Sequence, residues 1–449
     1  MVNMKSKPFE KFAIVFALVL IGFVVLYAFH VQSAESLESP PTEWSQTYGG
    51  TNDDSAEWVI QTKDGGYAIA GYTYSYGAGG VDSWLVKTDS AGYTQWNKAY
   101  GGIDGDYAES VVQTSDGGYA LAGITNSFGA GREDFWLVKT DSSGAMVWNK
   151  TYGGADTDVA YSVVQTSDAG YAVAGLTNSS GAGSYDAWLV KTDSAGNTQW
   201  SRTYGGTNYE EARSLVQTSD GGYAFTGSTS SYGAGDHDFW LVKTDSSGNL
   251  QWNKTYGGAS TEAPSSVVQT KDGGYALVGG TVSYAGVPPN EDFWFVKTDS
   301  SGDMLWSRVY GGTGNDGASS VIQTSDGGYA LIGYTYSYGA GQPSSSGTGQ
   351  SNVWLVKTDP SGNMQWSKPY GGSGGESASS VVQTSDEGYV VAGNARADSV
   401  GSSDFWLVKI ADEHAQGENG LLTVYVGLAL AAVGAATVAT IIYVKRVKR

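Results

Sequence analysis

WNKTYGG at Trp148–Gly154 returns letter for letter at Trp252–Gly258. Looser copies surround both: WSQTYGG at Trp44, WNKAYGG at Trp96, WSRTYGG at Trp200, WSRVYGG at Trp306 and WSKPYGG at Trp366. The seven tryptophans stand 52, 52, 52, 52, 54 and 60 residues apart. A period of roughly 50 residues belongs to propeller blades rather than to helical hairpins. Although the chain has 449 residues, it therefore reads chiefly as one repeat array.

Between two copies of the motif lie four short runs rich in β-formers. In the third repeat they are YSVVQT, YAVAG, AWLVKT and TQWSRTY, here strands a to d, separated by Gly, Asp, Ser and Asn clusters that mark turns. The a–b link SDAG and the c–d link DSAG are short enough for hairpins, so the strands should run antiparallel in sequence order. Side-chain bulk is expected to rise from a to d as a blade widens toward its rim. On strand d, Leu250, Trp252, Lys254 and Tyr256 share one face, which predicts a lysine stem laid between aromatics. Fourteen of the fifteen tryptophans fall at fixed strand c or strand d positions and read as packing. Trp58 replaces a serine found in the other six copies, and it alone invites a functional role.

The ends of the array decide between a wheel and an open stack. Its first element is a lone strand d, TEWSQTY, and its last is a strand c, DFWLVKIADE. Pairing Thr42–Tyr48 beside Phe405–Ile410 completes a seventh blade and leaves no open edge. The fold class expected is thus all-β, a seven-bladed propeller of four-stranded antiparallel blades over residues 42–411, closed by its N-terminal strand, with N-terminal and C-terminal transmembrane helices.

The run KTDSSGNLQW (Lys243–Trp252) is similar to the tryptophan-docking repeat of quinoprotein-like (PQQ-like) propellers, with an Asp245–Gly248 turn one residue shorter. The whole unit, SVVQTSDGGYALAG followed by DFWLVKTDSSGNxQWNKTYGG, resembles the repeats of archaeal and bacterial cell-surface propellers over about residues 42–410. That resemblance implies the fold and says little about a cofactor.

Zero cysteines exclude disulfides, thiol catalysis and cysteine-held metals. Of three histidines, His30 and His414 lie outside the repeats, so a Ser-His-Asp relay would have to use His237. A formal charge of -20 argues against nucleic acid as a partner. Near the N-terminus, residues 1–34 carry Lys5, Lys7 and Lys11 before an uncharged run, Phe12–Phe29, and read as a signal peptide or membrane anchor. Residues 421–444 are uncharged, long enough to span the hydrocarbon layer, and followed by the basic tail KRVKR at 445–449. Lys and Arg favour the cytoplasmic side, which puts the propeller outside the cell. Residues 35–41 and 412–420 read as linkers.

The d–a and b–c connections should emerge on one face, and the b–c loops differ most between repeats. Six residues after each motif tyrosine stands an acid: Asp54, Asp106, Asp158, Glu210, Glu262, Asp316 and Glu376. Asp82, Asp134, Asp186, Asp238, Asp292 and Asp404 form a second set before strand c, with Asn352 in the sixth copy. These acids either accept backbone N–H bonds in crossing loops or ring the axis as a mouth that collects a cation such as Ca²⁺. No DxDxDG loop occurs and no cofactor is expected. Sequons at Asn149, Asn178 and Asn253 would be reachable outside the cell. The function expected is a membrane-anchored extracellular scaffold, not an enzyme, that binds a protein or glycan through the loop-rich face. Alternatives are a carboxylate-dependent glycan-active enzyme, which needs one acid pair to differ from the rest, and a quinone-dependent dehydrogenase.

Overall fold

A computed structural model of the protein describes residues 39–286, 290–339, 350–372, 374–396 and 402–411. The expected leader at 1–34, the linker at 412–420, the apolar run at 421–444 and the basic tail lie outside the described residues. Among the described residues no helix is long and apolar enough to cross a membrane.

Strands a to d of the first blade are Asp54–Gln61, Tyr67–Thr73, Asp82–Thr88 and Thr94–Tyr100, hydrogen-bonded in that order and antiparallel. Five further blades repeat this order, and the seventh is composite. Its strands Glu376–Gln383, Tyr389–Arg396 and Ser403–Ile410 take Thr42–Tyr48 as strand d. Thr42 stands opposite Ile410 and Tyr48 opposite Phe405, the pairing that the incomplete end repeats require.

The core lies between blades. Strands b and c are buried along almost their whole length, and each blade offers small residues to the aromatics of the next, as Ala172, Ala174 and Ala187 do to Tyr223, Phe225 and Trp240. Phe135 meets Trp188 of the next blade at 4.4 Å between ring centroids, and Phe405 meets Trp84 across the seam at 4.6 Å. Bulk does not simply rise outward. The strand c tryptophans are the buried ones, whereas strand d faces solvent along one side and its tryptophans are half-buried except Trp366. Lys254 keeps its stem beside Trp252 and pairs its amine with Asp303 of the following blade at 2.8 Å.

Polar bonds fix the spacing between blades. Each motif tyrosine from the seventh blade's strand d (Tyr48) through the fifth's (Tyr310) donates to a hairpin glycine carbonyl of the next blade, as Tyr48 does to Gly92 at 2.6 Å and Tyr204 to Gly248 at 2.7 Å. That glycine needs a positive φ, +81° at Gly92, and a Cβ there would stand 2.8 Å from the Trp44 ring. The hydroxyl of Tyr370 is buried without a partner among the described residues, because the seventh blade joins two chain ends where the others have a c–d hairpin. Strand a glutamines complete a closed ring by accepting from the neighbouring a–b hairpin, with Ser385 N donating to Gln61 Oε1 at 3.0 Å across the seam. Within each blade a buried strand c lysine reaches the a–b hairpin acid, for example Lys191 to Asp168 at 2.9 Å, and donates to the Thr192 carbonyl. An isolated ammonium could not be buried so cheaply, so the hairpin acids are structural.

Deleting residues 42–48 uncovers Phe405 and Leu407 and opens a strand edge, so the melting temperature should fall sharply in calorimetry; an unchanged melt would show the wheel closed by other means. Burial alone would raise the Asp168 carboxyl, but bonds from Thr166 and Lys191 and the lysine's charge outweigh it and pull the group down to about 2. Asp64, Asp116 and Asp220 behave alike. A depressed acid contributes stability above its ordinary value of 3.8 and loses it as pH falls toward 2. Acid unfolding should therefore set in between those limits, and Asp168→Asn should weaken the pH dependence in that window.

Candidate functional site

Three places could carry function: the crossing loops, the aromatic rim above them, and the axis. In the crossing loops the acids six residues beyond each motif tyrosine are buried, with Asp54, Asp106, Asp158, Glu210, Glu262 and Asp316 at 0% exposure and Glu376 at 6%. They do not ring an open mouth. Each described d–a loop turns back so that its second glycine donates to the acid, as Gly102 N does to Asp106 Oδ2 at 2.7 Å and Gly206 N to Glu210 Oε2 at 2.7 Å. The same carboxylates hold the b–c loop, through Ser127 Oγ at 2.7 Å for Asp106 and Ser231 N at 2.9 Å for Glu210. The second set packs behind them: a Cβ on Gly101 would stand 2.0 Å from Asp82 Oδ1 and 2.7 Å from Asp106 Oδ2, so glycine is required where two carboxyl groups crowd one backbone position. Burial, and then the Asp106 charge opposed by the amide of Ala78, raises the Asp82 carboxyl. Asp292 is pushed up to about 6 by burial, eased by a backbone amide and raised further by Asp316. Among the described residues no three His, Cys, Asp or Glu side chains gather as a metal site would require.

Above these clips stands a rim of aromatic side chains that sequence reasoning passed over. Tyr76, Phe128, Tyr232, Tyr284 and Tyr338 each lie three residues after the last threonine of strand b, at exposures between 39% and 48%. Each ring leans on the strand c tryptophan of its own blade, from Tyr338–Trp354 at 5.0 Å to Tyr232–Trp240 at 5.9 Å. The four tyrosines also donate to the first glycine carbonyl of the neighbouring d–a loop, as Tyr76 does to Gly49 at 2.8 Å. The signal was present in the repeated SYG and SFG of the b–c loops, but the glycine and serine around it read as flexible turn.

At the axis the repeat breaks. In six blades the a–b ladder shifts register at the middle of strand a, which leaves one residue bulged out of the pairing; in the first blade it is Glu57, between Ala56 opposite Gly71 and Trp58 opposite Ala70. A bulge re-aims its side chain, here toward the axis. The equivalent positions hold Glu109, Tyr161, Arg213, Ser265, Ser319 and Ser379, although their neighbours barely vary. In the fourth blade strand a is only Ser214–Gln217, and Arg213 precedes it. These seven residues, with Trp58 and Glu211, line a cavity of about 370 Å³. Serines at four of the equivalent positions, Ser110, Ser162, Ser214 and Ser266, accept an amide N–H from the next blade, as Ser162 does from Leu215 at 3.2 Å, a bond that Trp58 cannot accept; it stands in the cavity wall instead.

Charge in the cavity is divided. Glu57 accepts from Ser55 Oγ at 2.9 Å, and burial, partly offset by this bond, raises its carboxyl. Glu109 is pushed up to about 8 by burial and the Glu57 charge, opposed by Arg213. Arg213 Nε pairs with Glu211 at 2.8 Å, and the guanidinium lies 4.3 Å over the Tyr161 ring. His237, the only histidine of the repeats, bonds Ser230 Oγ through Nδ1 at 2.9 Å; no carboxylate among the described residues is hydrogen-bonded to it, so the relay that catalysis would need is not assembled.

The architecture defines a seven-bladed β-propeller. No protein-family profile matches the chain. A stretch of 140 residues is 29% identical to the regulatory protein FlaEY of Caulobacter vibrioides, covering 28% of this chain and only 14% of that protein. Solved structures similar to it include the Pan2 WD40 domain of Neurospora crassa, at 9% identity and TM-score 0.47 over 83% of this chain and 95% of that one. Sqt1 from Chaetomium thermophilum matches at 12% identity and TM-score 0.44 over 82% and 100%, and the polysaccharide lyase Uly1 at 10% and 0.46 over 81% and 91%.

The axis yields a pH prediction. An acid raised above its ordinary 4.5 contributes stability that is full below that value and lost as pH rises to about 8. Glu109→Gln should flatten the fall in melting temperature across this window; an unchanged slope would place the Glu109 carboxylate in water.

Proposed function

We propose that this chain is a membrane-anchored extracellular propeller that acts as a binding scaffold, presenting its loop-rich face to a protein or glycan. The observation that carries the reading is the rim of five half-exposed aromatic rings, each braced by a buried tryptophan. Ordering such rings costs little entropy on binding, and their flat faces suit both protein hot spots and sugar C–H faces. The crossing-loop acids support this face from below as clips. The anchoring rests on the sequence alone, through the apolar run 421–444 and the KRVKR that follows it.

The experiment compares the full-length protein with a Tyr76→Ala, Tyr232→Ala, Tyr284→Ala variant in capture of glycans and proteins from the surface of the producing cell. Capture should weaken at least tenfold, about 1.4 kcal/mol, with melting little changed. Equal capture by the variant would move the binding surface elsewhere. Protease digestion of intact cells should remove the propeller and spare the KRVKR tail; protection of the propeller would overturn the orientation.

A further inference from the structure

The axial cavity asks for a ligand of its own, because within the strands it is where the repeated blades differ. Glu57 and Glu109 occupy the wall contributed by the first two blades. Glu109 accepts no hydrogen bond from any described residue, and no lysine or arginine forms an ion pair with either acid among them. Across Tyr161 stands Arg213, fixed on two sides. Its Nε is held by Glu211, itself oriented by the Tyr209 hydroxyl at 2.8 Å, and its plane is stacked on Tyr161. That geometry leaves both Nη atoms for an acceptor that no described residue supplies, and a guanidinium so presented matches a carboxylate in bidentate fashion. The remaining wall, Ser265, Ser319 and Ser379, is neutral and small.

We infer that the cavity binds a small zwitterion of amino-acid size, its ammonium group between Glu57 and Glu109 and its carboxylate on the Nη fork of Arg213. The volume of about 370 Å³ accommodates such a molecule with some water. Trp58 closes the wall beside the acids. An ammonium beside Glu109 favours the ionised carboxylate, so binding near neutral pH should release a proton. The inference stands apart from the loop-face reading: a protein that captures its partner and takes up no zwitterion would sink this inference alone.

The test is calorimetric titration of the full-length chain in detergent with alanine, 4-aminobutyrate and 6-aminohexanoate, which span increasing charge separations. Propylamine and propionate serve as single-charge controls. At least one amino acid should bind tenfold or more tightly than both controls and release protons at pH 7, measured by repeating the titration in buffers of different ionisation enthalpy. Glu109→Gln, which keeps the shape, and Arg213→Lys, which keeps the charge but loses the fork, should each weaken that binding at least tenfold. Propylamine or propionate binding as tightly as the best amino acid overturns the proposal, as does the absence of heat with every probe. Should Arg213→Lys fail to fold, Glu109→Gln with the two single-charge controls still decides it.

Discussion

The antiparallel pairing of Thr42–Tyr48 with Ser403–Ile410 is the contact on which the rest depends. Every other blade is sequence-local and could be built hairpin by hairpin, whereas this one joins residues more than 350 positions apart and carries a larger chain-closure cost. Once it forms, Phe405 reaches Trp84, Ser385 reaches Gln61, and the first and last blades acquire the neighbours that the others have by repetition. The closed wheel leaves only the short edges of strands a and d in each blade and spares strand c of the seventh from becoming one, so closure serves both stability and solubility.

The closed wheel divides its side chains by task. Buried lysine–aspartate pairs, tyrosine-to-glycine bonds and glutamine-to-hairpin bonds recur in blade after blade because each solves a local problem: an orphan ammonium, the spacing of two sheets, an unpaired hairpin amide. Repetition is economical for such roles. It is unsuited to recognition, which needs unlike groups converging on one molecule. The two places where the blades stop matching are the b–c loops and the bulged residue of strand a, and the bulge matters because it gives each blade one axial side chain that the ladder does not constrain.

Much of this was legible from particular residues. The WxxxY spacing gave the blades, and the orphan TEWSQTY at one end with DFWLVKI at the other gave the closure. The acids of QTSDGG and KTDSSG read correctly as turn chemistry, but the burial of the KTD lysine against the QTSDGG aspartate did not, since the two are 23 residues apart and meet only when strands b and c pair. The acids from Asp54 to Glu376 were placed correctly in the crossing loops. Whether they accept backbone N–H bonds or form a mouth at the axis stayed open in the sequence, because an acid that points at solvent and one that folds back on an amide four residues earlier have the same one-letter code. The series Glu57, Glu109, Tyr161, Arg213, Ser265, Ser319, Ser379 was visible as variation between constant neighbours, yet without the bulge nothing marked it as axial.

By itself the sequence determined the periodic features: blade number, strand order, hairpin chemistry and the need for the two ends of the array to meet. These follow from local propensities and from two incomplete end repeats that complete each other as one blade. Only the tertiary structure decided which side chains share a space, because six bulged residues and Arg213 converge on one axis and five aromatic rings on one rim. Convergence is a property of the closed circle, and a linear string holds no record of which way each residue faces until the circle is drawn.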